Sequence, residues 1–170
     1  IGGNSIDGRY FAGLIAGARG NGYRARGGYH NLIHSADQAG INRQVDYLRR
    51  ELDAAGATFG MADVEPYTEL KTNGLWPRWT DVTPFHDRWW TLEARQMVWY
   101  IGRWVWGDWL GTPDLRVVDG MLINAAYPDG DGTPQQIYQA AGGPAGPGWD
   151  PYGGRTPDIW QYTSDGDVNG

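Results

Sequence analysis

The chain has 170 residues, 41% hydrophobic and 20% charged, a globular composition long enough to bury one domain's core and unlike that of a disordered chain. Its 14 basic and 20 acidic residues leave a net charge of −6, which argues against nucleic acid or an anionic membrane as the main partner. There is no cysteine, so disulfides, thiolate metal sites and cysteine nucleophiles are excluded, and no apolar run approaches the ~20 residues of a membrane span.

In chain order, Ile1-Gly2-Gly3 reads as the tail of a strand. Asp7 is placed to cap a helix whose Phe11, Leu14, Ile15 and Ala18 share a face, stopped by Asn21-Gly22. Residues 25–30 read as a short strand. Ser35 and Gln38 have capping-box spacing, and behind them Ile41, Val45, Leu48 and Leu52 predict an amphipathic helix closed by Gly56. Residues 59–65 form a plausible buried strand. Thr83-Pro84 opens a further helix carrying Trp89, Leu92 and Ala94. A strand at 97–101, a short helix at 104–110 ended by Gly111, and strands at 121–126 and 158–162 complete the series.

Regular alternation of strand and helix predicts an α/β fold with a parallel sheet, either a barrel or an open doubly wound sheet. In both, functional groups collect at the carboxyl ends of the strands. No internal repeat and no second domain is visible, so residues 1–170 are taken as one domain. Residues 128–157, rich in Gly and Pro, are expected to form a long surface loop rather than a linker. The chain opens without an initiator Met or signal peptide and stops at Asn169-Gly170 in mid-turn, which reads as a piece of a longer protein.

The strongest chemical signal is Asp63-Val64-Glu65 at a strand end. Residues i and i+2 of a strand share a face, so the two carboxyls project together and raise each other's pKa. A protonated carboxylic acid beside an ionised partner is what glycosidic cleavage uses. Taken alone, the pair also fits two solvated acids at a strand end. Ten Trp and ten Tyr against three Phe add flat apolar faces with polar tips, suited to stacking on sugars. Most of the tryptophans between Trp76 and Trp109 should pack the core. Trp76 and Trp79, on the loop just after the acid pair, are the candidates for stacking on carbohydrate.

Context extends the signal. Gly27-Gly28-Tyr29-His30, Gln38-Ala39, Asp63-Val64-Glu65, Tyr100 and the run Ile159-Trp160-Gln161-Tyr162-Thr163-Ser164 occur in one order at sensible spacing. Together they resemble the glycoside hydrolase family 25 lysozymes, and Pro151-Tyr152-Gly153-Gly154-Arg155-Thr156-Pro157 resembles their actinobacterial and actinophage branch. The resemblance implies a modified (β/α) TIM-like barrel that hydrolyses the β-1,4 bond between N-acetylmuramic acid and N-acetylglucosamine. It implies Glu65 as general acid and Asp63 as its acidic partner, orienting or polarising the substrate's acetamido group. It also implies Tyr29, Tyr100, Tyr127, Trp160 and Gln161 at the sugar groove. The partner is then the glycan strand of peptidoglycan, together with other parts of a larger lysin or virion protein. The setting is secreted or virion-associated. No cofactor and no metal is called for.

The family's acidic residues on a first strand and after the terminal hairpin have no counterpart here, so the barrel is expected to be incomplete at both ends. A barrel lacking its first strand exposes two sheet edges. His30-Asn31 replaces the usual H-F, and residues 121–127 lack the usual strand tryptophan. These departures keep open an alternative, a non-catalytic wall-binding or structural domain. A chitinase-type barrel is a third reading, although its longer acidic motif is absent.

Weaker patterns carry less. Asp165-Gly166-Asp167-Val168-Asn169-Gly170 matches half a calcium loop without the distal Glu, and Asp129-Gly130-Asp131-Gly132 is a generic turn. His30 and His34 lack the spacing context of a zinc site. Gly20-Asn21-Gly22 follows a helix and precedes a strand, the reverse of a dinucleotide site. No nucleophile elbow is present.

Overall fold

Strand order is what decides the architecture. The computed structural model describes residues 8–128 and 132–163; the expectations for residues 1–3, Asp7, the 129–131 turn and the 164–170 calcium pattern lie outside them. Five strands, β1 (Gly27–Asn31), β2 (Phe59–Asp63), β3 (Gln96–Tyr100), β4 (Met121–Ala125) and β5 (Ile159–Gln161), make one all-parallel sheet in consecutive order. A doubly wound sheet reverses its order at a switch point, and this one does not. The sheet is also open: β1 and β5 are its edges and do not pair with each other. The α/β class and parallel sheet are as expected, without a closed barrel among the described residues.

Helix α1 (Gly8–Gly20) precedes β1, and α2 (Gln38–Ala55), α3 (Thr68–Thr72), α4 (Trp79–Leu92), α5 (Arg103–Asp108) and α6 (Pro134–Ala140) lie between successive strands. In α2 the predicted stripe Ile41, Val45, Leu48 and Leu52 is buried throughout. Gly56 closes it in the left-handed conformation (φ 66°), which Gly adopts without a Cβ penalty. Its cap differs from the expected Ser35/Gln38 box: the Asp37 side chain accepts a hydrogen bond from the Gly40 amide at 2.7 Å. Asp37 takes the role because it sits immediately before the first helical residue.

Helix α4 starts four residues earlier than the Thr83-Pro84 signal indicates and ends before Ala94. Asp81 accepts a hydrogen bond from the Arg78 amide at 2.8 Å, nucleating the helix at Trp79 and leaving Pro84 inside it. The short helix α3 had no signal in the sequence. Residues 128–157 are more ordered than a surface loop, carrying α6 behind a Thr133 cap and 3-10 turns at Gly143–Ala145 and Pro147–Trp149.

The two sheet faces differ sharply. His30, Ala62, Trp99 and Leu122 stand in register on one face, where Ala62, Trp99 and Leu122 are fully buried beneath the helices. Val82, Phe85 and Trp89 of α4 close that core. The opposite face carries Tyr29, Met61, Val98 and Met121 in register, and Tyr29 is 45% exposed. A trough of about 700 Å³ runs along this second face.

Candidate functional site at the carboxyl edge of the sheet

Parallel register aligns one row of side chains across all five strands, at the carboxyl ends of β1, β2 and β3, the middle of β4 and the start of β5. Asn31, Asp63, Tyr100, Ile123 and Ile159 are register neighbours on the open face. Asp63 is therefore flanked by Asn31 and Tyr100. Chain direction and strand parity together produce this row, and no loop conformation is needed to assemble it.

Just past the strand a tight turn, closed by the Tyr67 amide on the Glu65 carbonyl at 3.1 Å, brings residue 67 back beside the acids. The Tyr67 hydroxyl donates to Asp63 Oδ2 at 2.5 Å and lies near Glu65, where it opposes the rise of that carboxyl as well. Asp63 is 5% exposed, and its Oδ1 has no hydrogen-bond partner. Glu65 is only half-buried. Burial pushes the Asp63 carboxyl up to about 7; the Tyr67 hydrogen bond opposes this and the Glu65 charge adds to it. Glu65 is raised as well, again by burial, with Tyr67 opposing. The pair thus retains a proton near neutrality, as the sequence reading requires. Loss of water is the leading cause, and mutual repulsion of the two charges is secondary.

Tyr100 and Tyr127 bring their hydroxyls to 3.1 Å of each other, and Tyr127 is 51% exposed. Burial, the Tyr127 hydrogen bond and the nearby Glu65 and Asp63 charges raise the Tyr100 phenol, so it remains a neutral donor at any ordinary pH. Met61 and Tyr100, the neighbours of Asp63, line a cleft of about 450 Å³ that extends over Ile123 and Ile159 to Gln161. A second depression of about 510 Å³ lies between Trp104, Tyr127 and Pro128. An apolar cavity of about 540 Å³ between α1 and β1 lies away from the acid pair and contains no carboxylate except Glu51.

The predicted site residues divide into three groups. Asp63, Glu65, Tyr100 and Tyr127 come together, and Gln161 borders the same cleft. Tyr29 lies one row deeper on the open face, two residues before Asn31. The tryptophans differ from expectation. Trp79 packs against the core as the first residue of α4. Trp160 stands in register with Asn124, is 5% exposed and donates its indole N–H to the Ala126 carbonyl at 2.7 Å. It borders the cleft from below instead of offering an open ring. Trp76 is partly exposed and lies edge-on to Trp109, 6.2 Å away.

Sequence reasoning passed over Tyr67, Asn31 and Trp104. Tyr67 reaches the acids through a tight turn at residues 65–67 that strand alternation does not reveal. Asn31 was signalled only by strand pairing, which places it beside Asp63. Trp104, 43% exposed, follows the carboxyl end of β3. Among the described residues no group of three or more His, Cys, Asp or Glu side chains is arranged to hold a metal ion. His30 Nε2 is 3.0 Å from Gln44 Oε1, and His34 Nδ1 is 3.0 and 3.1 Å from the Asp81 carboxylate oxygens. No protein-family model, curated protein or solved structure matches the chain.

Proposed function

We propose that the chain is a peptidoglycan hydrolase of the family 25 lysozyme type, cleaving the β-1,4 bond between N-acetylmuramic acid and N-acetylglucosamine. The observation that carries this reading is the cluster of Asp63, Glu65 and Tyr67, two carboxyls of raised pKa with the phenol bonded to Asp63, beside an open tyrosine-walled cleft. Glu65, the more accessible acid, donates its proton to the glycosidic oxygen as the bond to the anomeric carbon breaks. Water supplies the hydroxyl to that carbon, and its remaining proton returns to the carboxylate. Asp63, deeper and held by Tyr67, is the acidic partner.

In this reading the five strands are part of a (β/α) barrel, whose consecutive order they share. The setting is a phage lysin or virion-associated protein acting on the bacterial wall. The test is digestion of purified walls by the wild type and Glu65→Gln, with fold checked by circular dichroism. The wild type should release muropeptides with new muramic acid reducing ends, and Glu65→Gln should lose about 100-fold or more of that rate. Wall binding without new reducing ends in the wild type overturns the reading in favour of a wall-binding domain. A fully active Glu65→Gln chain overturns the assignment of the acid.

A further inference from the structure

Next to the acid cluster stands a second group that the hydrolytic reading does not use. Helix α3 begins immediately after Tyr67, and the Lys71 amide bonds the Tyr67 carbonyl at 2.9 Å. The Lys71 ammonium lies 4.5 Å from the centre of the Trp109 ring. Trp109 ends α5, and its ring meets Trp76 at an interplanar angle of 69°. The Arg78 guanidinium lies 5.6 Å from the Trp76 ring. Two partly exposed indoles therefore sit edge to face, each with a cation against it.

We infer that Lys71, Trp76, Arg78 and Trp109 form a binding platform for a saccharide that carries a carboxylate. Indole faces stack on the C–H faces of pyranose rings, and an ammonium with a guanidinium beside them selects an anionic substituent. Neither Lys71 nor Arg78 has a carboxylate within ion-pair distance among the described residues, whereas Arg88, Arg95 and Arg116 are paired with acids. Two unpaired cations on one aromatic patch are a local reversal of sign in a chain of net charge −6. Their contacts with the rings are weak at an exposed site, so an incoming anion displaces them at low cost.

The platform is also built in place. The His34 amide bonds the Leu75 carbonyl at 2.9 Å, fixing the residue before Trp76. Asp81, 1% exposed, takes the Arg78 amide at 2.8 Å and lies against the His34 ring. Trp76 and Arg78 are thereby anchored through their backbones, with their side chains left at the surface.

This inference deepens the proposed function and rests on it for the identity of the polymer. The carboxylate there belongs to the lactyl group of muramic acid. Binding is measured on the full Glu65→Gln chain, so that hydrolysis does not consume the probe, by calorimetry and tryptophan fluorescence at low salt. The probes are a peptide-free tetrasaccharide containing N-acetylmuramic acid, neutral chitotetraose and a glycerol phosphate oligomer. The carboxylated tetrasaccharide should bind about tenfold tighter than chitotetraose, and adding Lys71→Ala with Arg78→Ala should remove that advantage while leaving chitotetraose unchanged. High salt should have the same effect. Equal affinities for the two sugars, an unchanged preference in the variant, or tighter binding of glycerol phosphate than of the acidic sugar overturns the platform. A platform that binds as stated in a wild-type chain releasing no reducing ends would overturn the hydrolase reading alone.

Discussion

Tyr67 gives its hydroxyl to Asp63, and its presence beside both carboxyls opposes the rise that burial imposes on each. The Asp63 carboxyl titrates near 7 in the folded chain against 3.8 ordinarily. Below pH 4 both folded and unfolded chains hold the proton, and the site makes no difference. Between about 4 and 7 the folded chain keeps a proton that the unfolded one has released, so stability falls as pH rises through that window and stays low above it. Asp63→Asn removes the penalty. Urea titrations should find the variant roughly 3–4 kcal/mol more stable than wild type at pH 8 and indistinguishable at pH 3.5. The same substitution should cut wall hydrolysis by orders of magnitude, since an amide cannot share the cluster's proton. The two acids were legible from their spacing because a strand's period is two. Tyr67 was not, because it is returned to Asp63 by a tight turn beyond the strand end. Trp79 and Trp160 were misplaced for a different reason: sequence gives the period of a pattern but not which face a given indole will turn to the core.

Elements begin where side chains can cap them, and α4 illustrates how this escapes the strongest local signal. Proline at a first position reads as a helix start, yet Pro84 sits inside a helix begun by the backbone bonds of Asp81. The same carboxylate reaches the Ser35 amide at 3.3 Å and His34, tying the segment after β1 to the start of α4. These partners lie 46 and 47 residues away in sequence, too far for any spacing rule to find. Asp81→Ala leaves buried donors unmatched and should cost about 2–4 kcal/mol in urea denaturation. It should also weaken binding to acidic saccharide, because it frees the backbone on which Trp76 and Arg78 stand. Residues 128–157 were underestimated on similar grounds. Glycine and proline indicate turns, but not that Gly148 lies so close to Trp160 that an added Cβ would meet the indole at 2.1 Å. Asn124 donates to the Gly148 carbonyl at 2.9 Å, and the Tyr152 hydroxyl to the Ile101 carbonyl at 2.6 Å. Composition reported only flexibility there; the packing that removes it comes from distant strands.

At the scale of the whole molecule, alternation of strands and helices was enough to give the α/β class and the parallel sheet. Consecutive neighbour order was not: it depends on where each helix returns the chain, and a barrel and a doubly wound sheet share the same one-dimensional pattern. The observed order puts the helices against one face, leaving the other with Tyr29 at 45% and Ile159 at 37% exposure. Tolerance to mutation should therefore be striped. In a saturation library read twice, once for folded yield and once for wall lysis, substitutions at His30, Ala62 and Trp99 should depress yield. Substitutions at Asn31 and Tyr100, half-buried on the open face, should spare yield and depress lysis. Adjacent codons would then answer to different selections, and the catalytic half of each strand could diverge without renegotiating the half that keeps the protein folded.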